Sequence, residues 1–344
     1  MGRLDDRPSV YAELTKPQYQ GGRFNRTRSV NQYLTHWIYP YQGKFHPQMI
    51  RGLLNMMGAK AGARVCEPFL GSGTTALEAS LLGLDCVGVD LSPLCVLLTR
   101  VKTRSWKAAD AIRAAVETLV SESDLCPDAL DGRSFNDDRV GDFVRVAQMV
   151  TASDVSRRGR DAMASLRKNL LAMRDSVEAH ARAIQEFGLT PGTVAVSVGD
   201  CRDLGASGID SGSVDFVVTS PPYSIALDYV KNDEHALDAL GVDTAALRNV
   251  MTGVRGKGAK QKLSLYNADM QTMFAEVARV LKPGAPAAFV IGDATVDGSE
   301  FTTTDDMTRW ATTAGLRLER SIPKIVYGLY SIMKDELILI FRKE

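Results

Sequence analysis

Val65-Cys66-Glu67-Pro68-Phe69-Leu70-Gly71-Ser72-Gly73-Thr74-Thr75 is the stretch that decides the fold. An apolar run ends in an acid, a proline and an aromatic; two glycines one residue apart then open a helix-forming run over 75–82. That order reads as strand, tight turn and helix, the first unit of an open α/β sheet whose ligands bind beyond the carboxyl ends of its strands. Glycine lets the backbone come close to a ligand, and a helix start offers N–H groups with no partner inside the helix. A lone Gly-x-Gly names no ligand, so the segments around it must.

Downstream, Asp85-Cys86-Val87-Gly88-Val89-Asp90 reads as a second buried strand ending in a carboxylate, 17 positions beyond Gly73. An acid near that place accepts hydrogen bonds from ribose hydroxyls in dinucleotide-binding turns. It would also cap a helix starting at Ser92-Pro93. Residues 193–200 form a third strand ending in Asp200, and 214–219 a fourth that runs straight into Ser220-Pro221-Pro222-Tyr223. A helix over 270–281 is closed by Lys282-Pro283-Gly284, and a strand over 287–291 follows. A helix over 304–314 and strands over 316–322 and 336–341 complete the pattern. In a doubly wound sheet such strand ends converge on one crevice.

Upstream of the anchor, 49–57 reads as a short helix, and 35–47 is dense in aromatics and prolines, which favours a loop. The polar arm before it carries Arg23, Arg26 and Arg28, suited either to solvent or to phosphates. Between 106 and 187 strand signals vanish. Met163, Leu166, Leu170, Met173, Val177, His180, Ile184 and Phe187 step in threes and fours, the spacing of a long helix with a narrow apolar seam. The seam reads as packing and His180 as a core histidine. Arg157, Arg158, Arg160, Arg167 and Lys168 fit a solvated face better than a phosphate site.

Lysine plus arginine equals aspartate plus glutamate at 41 each, so no global field draws in nucleic acid, and local patches must do so if anything does. Five scattered cysteines without a C-x-x-C pair argue against a disulfide scaffold or zinc site and for a reducing compartment. No apolar run reaches the roughly 18 residues that a membrane span needs. A cytoplasmic location with no membrane and no metal is the expectation.

Taken together, Glu67-Pro68-Phe69-Leu70-Gly71-Ser72-Gly73-Thr74-Thr75, Val89-Asp90-Leu91-Ser92-Pro93, Val198-Gly199-Asp200 and Thr219-Ser220-Pro221-Pro222-Tyr223 resemble the S-adenosylmethionine-dependent amino-methyltransferases of DNA, most of all the cytosine-N4 group. Tyr39-Pro40-Tyr41-Gln42-Gly43-Lys44-Phe45-His46-Pro47 is similar to that family's methionine-side cofactor segment. The resemblance covers most of 35–100 and 193–344 and little of the insertion. It departs at Glu67, where the family more often has aspartate. It implies an α/β, Rossmann-like methyltransferase with a mostly parallel, doubly wound, seven-stranded sheet and an α-helical insertion. The expected division is an arm (1–34), a cofactor half (35–105), an insertion (106–190) serving target recognition or dimerisation, and a catalytic half (191–344) with a basic loop at 248–262.

The resemblance also implies roles. Gly71 and Gly73 would let the backbone approach the cofactor, with Thr74 and Thr75 behind them. Asp90 would bind the ribose, Asp200 with Cys201 the adenine amine, and Phe69 and Leu91 the adenosine faces. Tyr41, Lys44 and Phe45 would close on the methionine end, with Glu67 reaching a cofactor amino group. Ser220, Pro221, Pro222 and Tyr223 would form the catalytic turn. The exocyclic amine of a base is a poor nucleophile because its lone pair is delocalised into the ring. A serine hydroxyl and the Pro221 carbonyl can take both amine hydrogens and steer the lone pair toward the methyl, while Tyr223 stacks on an extruded base. Serine in the first position points to cytosine N4. The absence of a Pro-Cys dipeptide speaks against attack on cytosine C6. Double-stranded DNA is the expected substrate, with Arg255, Lys257, Lys260 and Lys262 on its phosphates. A cognate restriction endonuclease and a second copy of the chain are candidate partners. The rivals are an adenine-N6 enzyme, an RNA amino-methyltransferase, or a non-catalytic cofactor-binding subunit.

Overall fold

A computed structural model describes residues 33–222, 227–292, 294–296, 299–301, 303–324 and 336–344. The first unit comprises α1 (Pro47–Met56), β1 (Arg64–Glu67), α2 (Thr74–Leu81), β2 (Asp85–Asp90) and α3 (Pro93–Arg104). The insertion contributes α4 (Ala109–Ser121), α5 (Asp138–Arg158) and α6 (Ala162–Glu186). Then come β3 (Val194–Val198), β4 (Phe216–Thr219), the short helices α7 (Tyr229–Asn232), α8 (Glu234–Ala239) and α9 (Thr244–Val250), and the long α10 (Gly258–Val280). The chain continues through β5 (Pro286–Gly292), a ribbon of β6 (Ala294–Val296) and β7 (Ser299–Phe301), α11 (Thr303–Thr313), β8 (Leu316–Lys324) and β9 (Glu336–Lys343).

All seven expected strands join one sheet in the order β3-β2-β1-β4-β5-β9-β8. β1 to β5 run parallel, and β9 is antiparallel between β5 and β8. The central strands β1, β2, β4 and β5 are buried because both faces are covered, whereas the edge strand β8 is mostly exposed; successive side chains turn to opposite faces. Along β5, Ala288 and Val290 pack toward α1 and α2, whereas Ala287, Phe289 and Ile291 pack toward α10 and α11. Strand order reverses between β1 and β4, and that switch point opens a crevice at their carboxyl ends.

The insertion builds a second core against α3. Asp137 caps α5 by accepting Arg139 N–H at 2.8 Å, Gly159 ends it at φ +59°, and Asp161 caps α6 by accepting Ala164 N–H at 2.8 Å. The α6 seam is spent inside the chain: Leu166, Leu170, Met173 and Val177 are buried in this core. His180 is buried too, its Nδ1 3.3 Å from Thr35 Oγ1. The middle of the seam is therefore not a free face, while Met163 at its start is exposed.

Two expectations need correction. The stretch 248–262, read as a basic loop, is the end of α9, a turn, and the first turn of α10, which starts 12 residues earlier than the expected helix at 270. Glycine lowers helix propensity in isolation, but here Gly258 sits at the very start, where φ +67° is tolerated. The insertion is also not separate from the segment after β4, because Val230, Ala236, Leu237 and Leu247 share its core.

Candidate active site

The β1–α2 turn is tied to the end of β2. Leu70 N–H reaches Val89 O at 3.1 Å, Gly73 N–H closes on Leu70 O at 2.8 Å, and Gly71 N–H donates to Asp90 Oδ2 at 2.9 Å. Asp90 Oδ1 accepts Ser92 N–H at 2.9 Å, which fixes the residue before α3, and no side chain caps that helix; the acid itself lines the crevice. Gly71 and Gly73 hold φ +47° and +73°, in the region that favours glycine. Their reasons differ. A Cβ on Gly73 would sit 2.5 Å from Thr99 Oγ1, so Gly73 lets α3 pack on the turn and does not face the cleft, whereas Gly71 does.

The cleft is partly open, with about 980 Å³ of empty space that includes solvent at its opening. Of the expected cofactor residues, Tyr41, Lys44, Phe45, Phe69, Gly71, Thr74, Asp90, Leu91 and Cys201 line it, together with Ser220 and Pro222 of the expected catalytic turn. Glu67, Gly73, Thr75, Asp200 and Pro221 do not. Tyr223 lies outside the described residues, as does the arm with Arg23, Arg26 and Arg28.

Glu67 turns inward. Its carboxyl group accepts from Thr75 Oγ1 at 2.7 Å, Phe69 N–H at 3.2 Å and the Thr219 hydroxyl, which ties the end of β1 to the end of β4. Burial pushes its pKa up to about 8 against the pull of those donors. Asp200 is likewise engaged: Arg202 Nε donates to Oδ1 at 2.8 Å and to Oδ2 at 3.0 Å. Burial acts to raise the Asp200 carboxyl, and the Arg202 hydrogen bonds outweigh it, leaving it below the usual carboxylate value. Arg202 also bonds the buried Asp269 at 2.8 Å, which in turn takes Arg255. Arg255, expected on phosphates, thus serves this internal network. Lys257 and Lys260 are exposed and Lys262 half-buried on the first turn of α10.

Ser220 Oγ donates to Val290 O on β5 at 2.9 Å. Tyr266 Oη, from buried Tyr266 on α10, donates to Pro222 O at 2.9 Å. Neither Val290 nor Tyr266 carries a motif signal. Lys102 is the other residue that sequence reasoning missed: fully buried on α3, it donates to Ser72 O and holds the glycine turn from behind. Burial lowers its pKa to about 7. The loop before α1 is anchored by Glu78, which gathers Arg51, His36 and Tyr33 in the core. Burial lowers His36 to about 4, so it is neutral at pH 7.

Residues 38–154 match the RMKL-like methyltransferase domain family (UPF0020). The fold is that of a Rossmann-like methyltransferase. The cofactor is S-adenosyl-L-methionine. A segment of 71 residues is 37% identical to the Type II methyltransferase M.MjaII of Methanocaldococcus jannaschii, covering 21% of this chain and 13% of that protein. A segment of 70 residues is 36% identical to the tRNA (guanine(10)-N2)-dimethyltransferase of Methanothermobacter thermautotrophicus, covering 20% of this chain and 21% of that protein. The chain thus matches only a minor part of the length of either relative. A TehB-like methyltransferase of Corynebacterium glutamicum superposes with a TM-score of 0.38 at 12% identity, over 88% of this chain and 90% of that one.

The cleft fits this cofactor. Lys44 Nζ is buried, lies 3.0 Å from the Trp37 ring centroid, and has no hydrogen-bond partner among the described residues. A buried ammonium held over an aromatic ring with no hydrogen-bond partner is costly, and a carboxylate such as the one on the methionine end would relieve it. Asp90 keeps lone pairs for ribose hydroxyls beyond the two N–H groups it accepts, and Phe69 and Leu91 offer apolar surface to an adenosine.

Proposed function

We propose that this chain methylates the exocyclic N4 amine of a cytosine extruded from double-stranded DNA. S-adenosylmethionine supplies an electrophilic methyl group; the protein must present the amine to it. The observation that carries the reading is the direction of the Ser220 hydrogen bond. A hydroxyl has one proton, and the Ser220 proton is spent on Val290 O, so Ser220 Oγ can only accept toward the cleft. An acceptor suits an N–H donor, which the amine of a base provides and a ring nitrogen acceptor does not. Tyr266 donates to the Pro222 carbonyl and fixes the turn; the carbonyl of Pro221, which does not line the cleft itself, would be the second acceptor for a base that enters beside the turn. With both amine hydrogens engaged, the nitrogen lone pair is steered out of the ring plane, and catalysis rests on positioning.

The likeness to a Type II methyltransferase supports DNA as the acceptor, and serine at the head of the turn supports cytosine. Exposed Lys260 lies within two helical turns of Tyr266 and exposed Lys257 immediately precedes α10; these cations would meet phosphates beside the catalytic turn. A cognate restriction endonuclease would accompany such an enzyme, and a second copy of the chain would have to dock away from the buried middle of the α6 seam. Among the described residues no helix is long and apolar enough to cross a membrane, and a cytoplasmic location goes with the proposed substrate. The likeness to a tRNA guanine-N2 enzyme supports a second reading, RNA amino-methylation, since the same acceptor pair serves any exocyclic amine.

Incubation with labelled S-adenosylmethionine and either duplex DNA or RNA, followed by nucleoside digestion and mass spectrometry, separates these readings. N4-methylcytosine in DNA is the expected product. N6-methyladenine in DNA or N2-methylguanine in RNA would replace it with the corresponding rival, and transfer to neither polymer would overturn both readings.

A further inference from the structure

The segment after the catalytic turn, α7 to α9 and the turn that follows, lines one side of the cleft. Asp233, between α7 and α8, lines the cleft near Asp90, Cys95 and Tyr41 with its side chain only 9% exposed. Its Oδ1 accepts Tyr39 Oη at 2.9 Å, and no hydrogen bond among the described residues reaches Oδ2. Thr252, at the far end of the segment, is 2% exposed and lines the same cleft. Its Oγ1 has no hydrogen-bond partner among the described residues. That end is fastened beside Cys201, because Arg202 Nη2 donates to Val250 O at 3.1 Å.

From these positions we infer that Asp233 and Thr252 contact the adenosine half of the cofactor, which makes 229–252 a wall of the cofactor site and not a target-reading element. The inference rests on the cofactor assignment and is independent of which base is methylated. The chemistry follows from what the strand-end acids leave undone. A ribose presents two vicinal hydroxyls that need acceptors, and each Asp90 oxygen, already holding one backbone N–H, has only part of its accepting capacity left for them. The open oxygen of Asp233 supplies another. An adenine edge presents an amine beside a ring nitrogen, a donor next to an acceptor. Asp200, expected there, has both oxygens on Arg202. A threonine hydroxyl both donates and accepts, so Thr252 suits that edge. Burying the Thr252 hydroxyl without a partner is unfavourable, and the cofactor provides one; Asp233, held through Oδ1 by Tyr39 with Arg157 3.8 Å away, presents its other oxygen.

Calorimetric titration with S-adenosylhomocysteine and with 5′-methylthioadenosine, which has the adenosine but not the amino acid, tests this directly. Asp233→Ala and Thr252→Val should each weaken both ligands by about ten-fold, the loss of one good hydrogen bond. Lys44→Met should weaken S-adenosylhomocysteine and leave 5′-methylthioadenosine unchanged. Thr252→Val keeps the side-chain shape, and a thermal melt checks that both variants fold, so one result stands even if Asp233→Ala does not. Wild-type affinity for both ligands in both variants would overturn the inference. So would a loss confined to S-adenosylhomocysteine, which would move the contacts to the methionine end. If the wild-type chain bound neither ligand, the cofactor assignment would fall and take the inference with it.

Discussion

In the glycine turn, Gly73 closes on Leu70 and Gly71 on Asp90, with Ser92 on the other oxygen of that acid. In the catalytic turn, Ser220 is held by Val290, Pro222 by Tyr266, and the neighbouring Thr219 by Glu67. The first set of restraints comes from one strand–turn–helix unit and the strand beside it. The second reaches across the sheet to residues 44 to 152 positions away. A turn that folds on itself can be specified by a short motif. One that is pinned from three directions depends on the whole domain being assembled, and its chemistry is correspondingly open to distant substitutions.

This contrast can be broken at several points. The largest effect is expected for Ser220→Ala, which removes an acceptor used only when the amine is presented. Turnover should fall by about 100-fold or more while cofactor affinity stays near wild type, by analogy with loss of one preorganised hydrogen-bonding group. Asp90→Ala should do the reverse. Calorimetry should show cofactor affinity weakened by about ten-fold or more, with turnover at saturating cofactor less affected. Tyr266→Phe tests the distant restraint, because it deletes only the hydroxyl on Pro222. We expect kcat to fall by about ten-fold with an unchanged cofactor Kd, whereas a loss of cofactor affinity would mean that Tyr266 supports the whole cleft.

The smallest effect is one of pH. Glu67 has its pKa raised by burial from 4.5 to about 8, so the folded state keeps a proton that the unfolded chain releases. Its contribution is fully present below about pH 4.5 and is lost as pH rises toward 8. Denaturant titrations of Glu67→Gln should therefore lose less stability between those pH values than wild type does. An identical pH dependence in the two proteins would place the titration elsewhere.

The sheet was legible in the sequence because most of its strands are apolar runs bounded by turn residues, and β1 to β5, β8 and β9 stand where strands were expected; the β6–β7 ribbon was not foreseen. The α6 helix and its buried seam were legible from the spacing of Leu166, Leu170, Met173 and Val177. The glycine turn was legible in outline, but the split between Gly71 facing the cleft and Gly73 accommodating Thr99 was not, since both glycines look alike in a motif. Glu67 and Asp200 stood at the right strand ends and yet turn to Thr219 and Arg202, because a carboxylate takes the nearest donors that folding provides. Arg255 was drawn off by Asp269 for the same reason. Lys102, Tyr266, Asp233 and Thr252 carried no local signal: each matters through a neighbour far along the chain, and only the packed structure shows which neighbour.

The central claim is that Ser220 meets an amine as an acceptor. A structure of the chain with S-adenosylhomocysteine and a duplex carrying the methylated site tests it most directly. The account predicts the extruded cytosine amine within hydrogen-bond distance of Ser220 Oγ and Pro221 O, with the serine proton still on Val290 O. A Ser220 hydroxyl released from Val290 and donating to the base, or an amine placed away from the 220–222 turn, would contradict it.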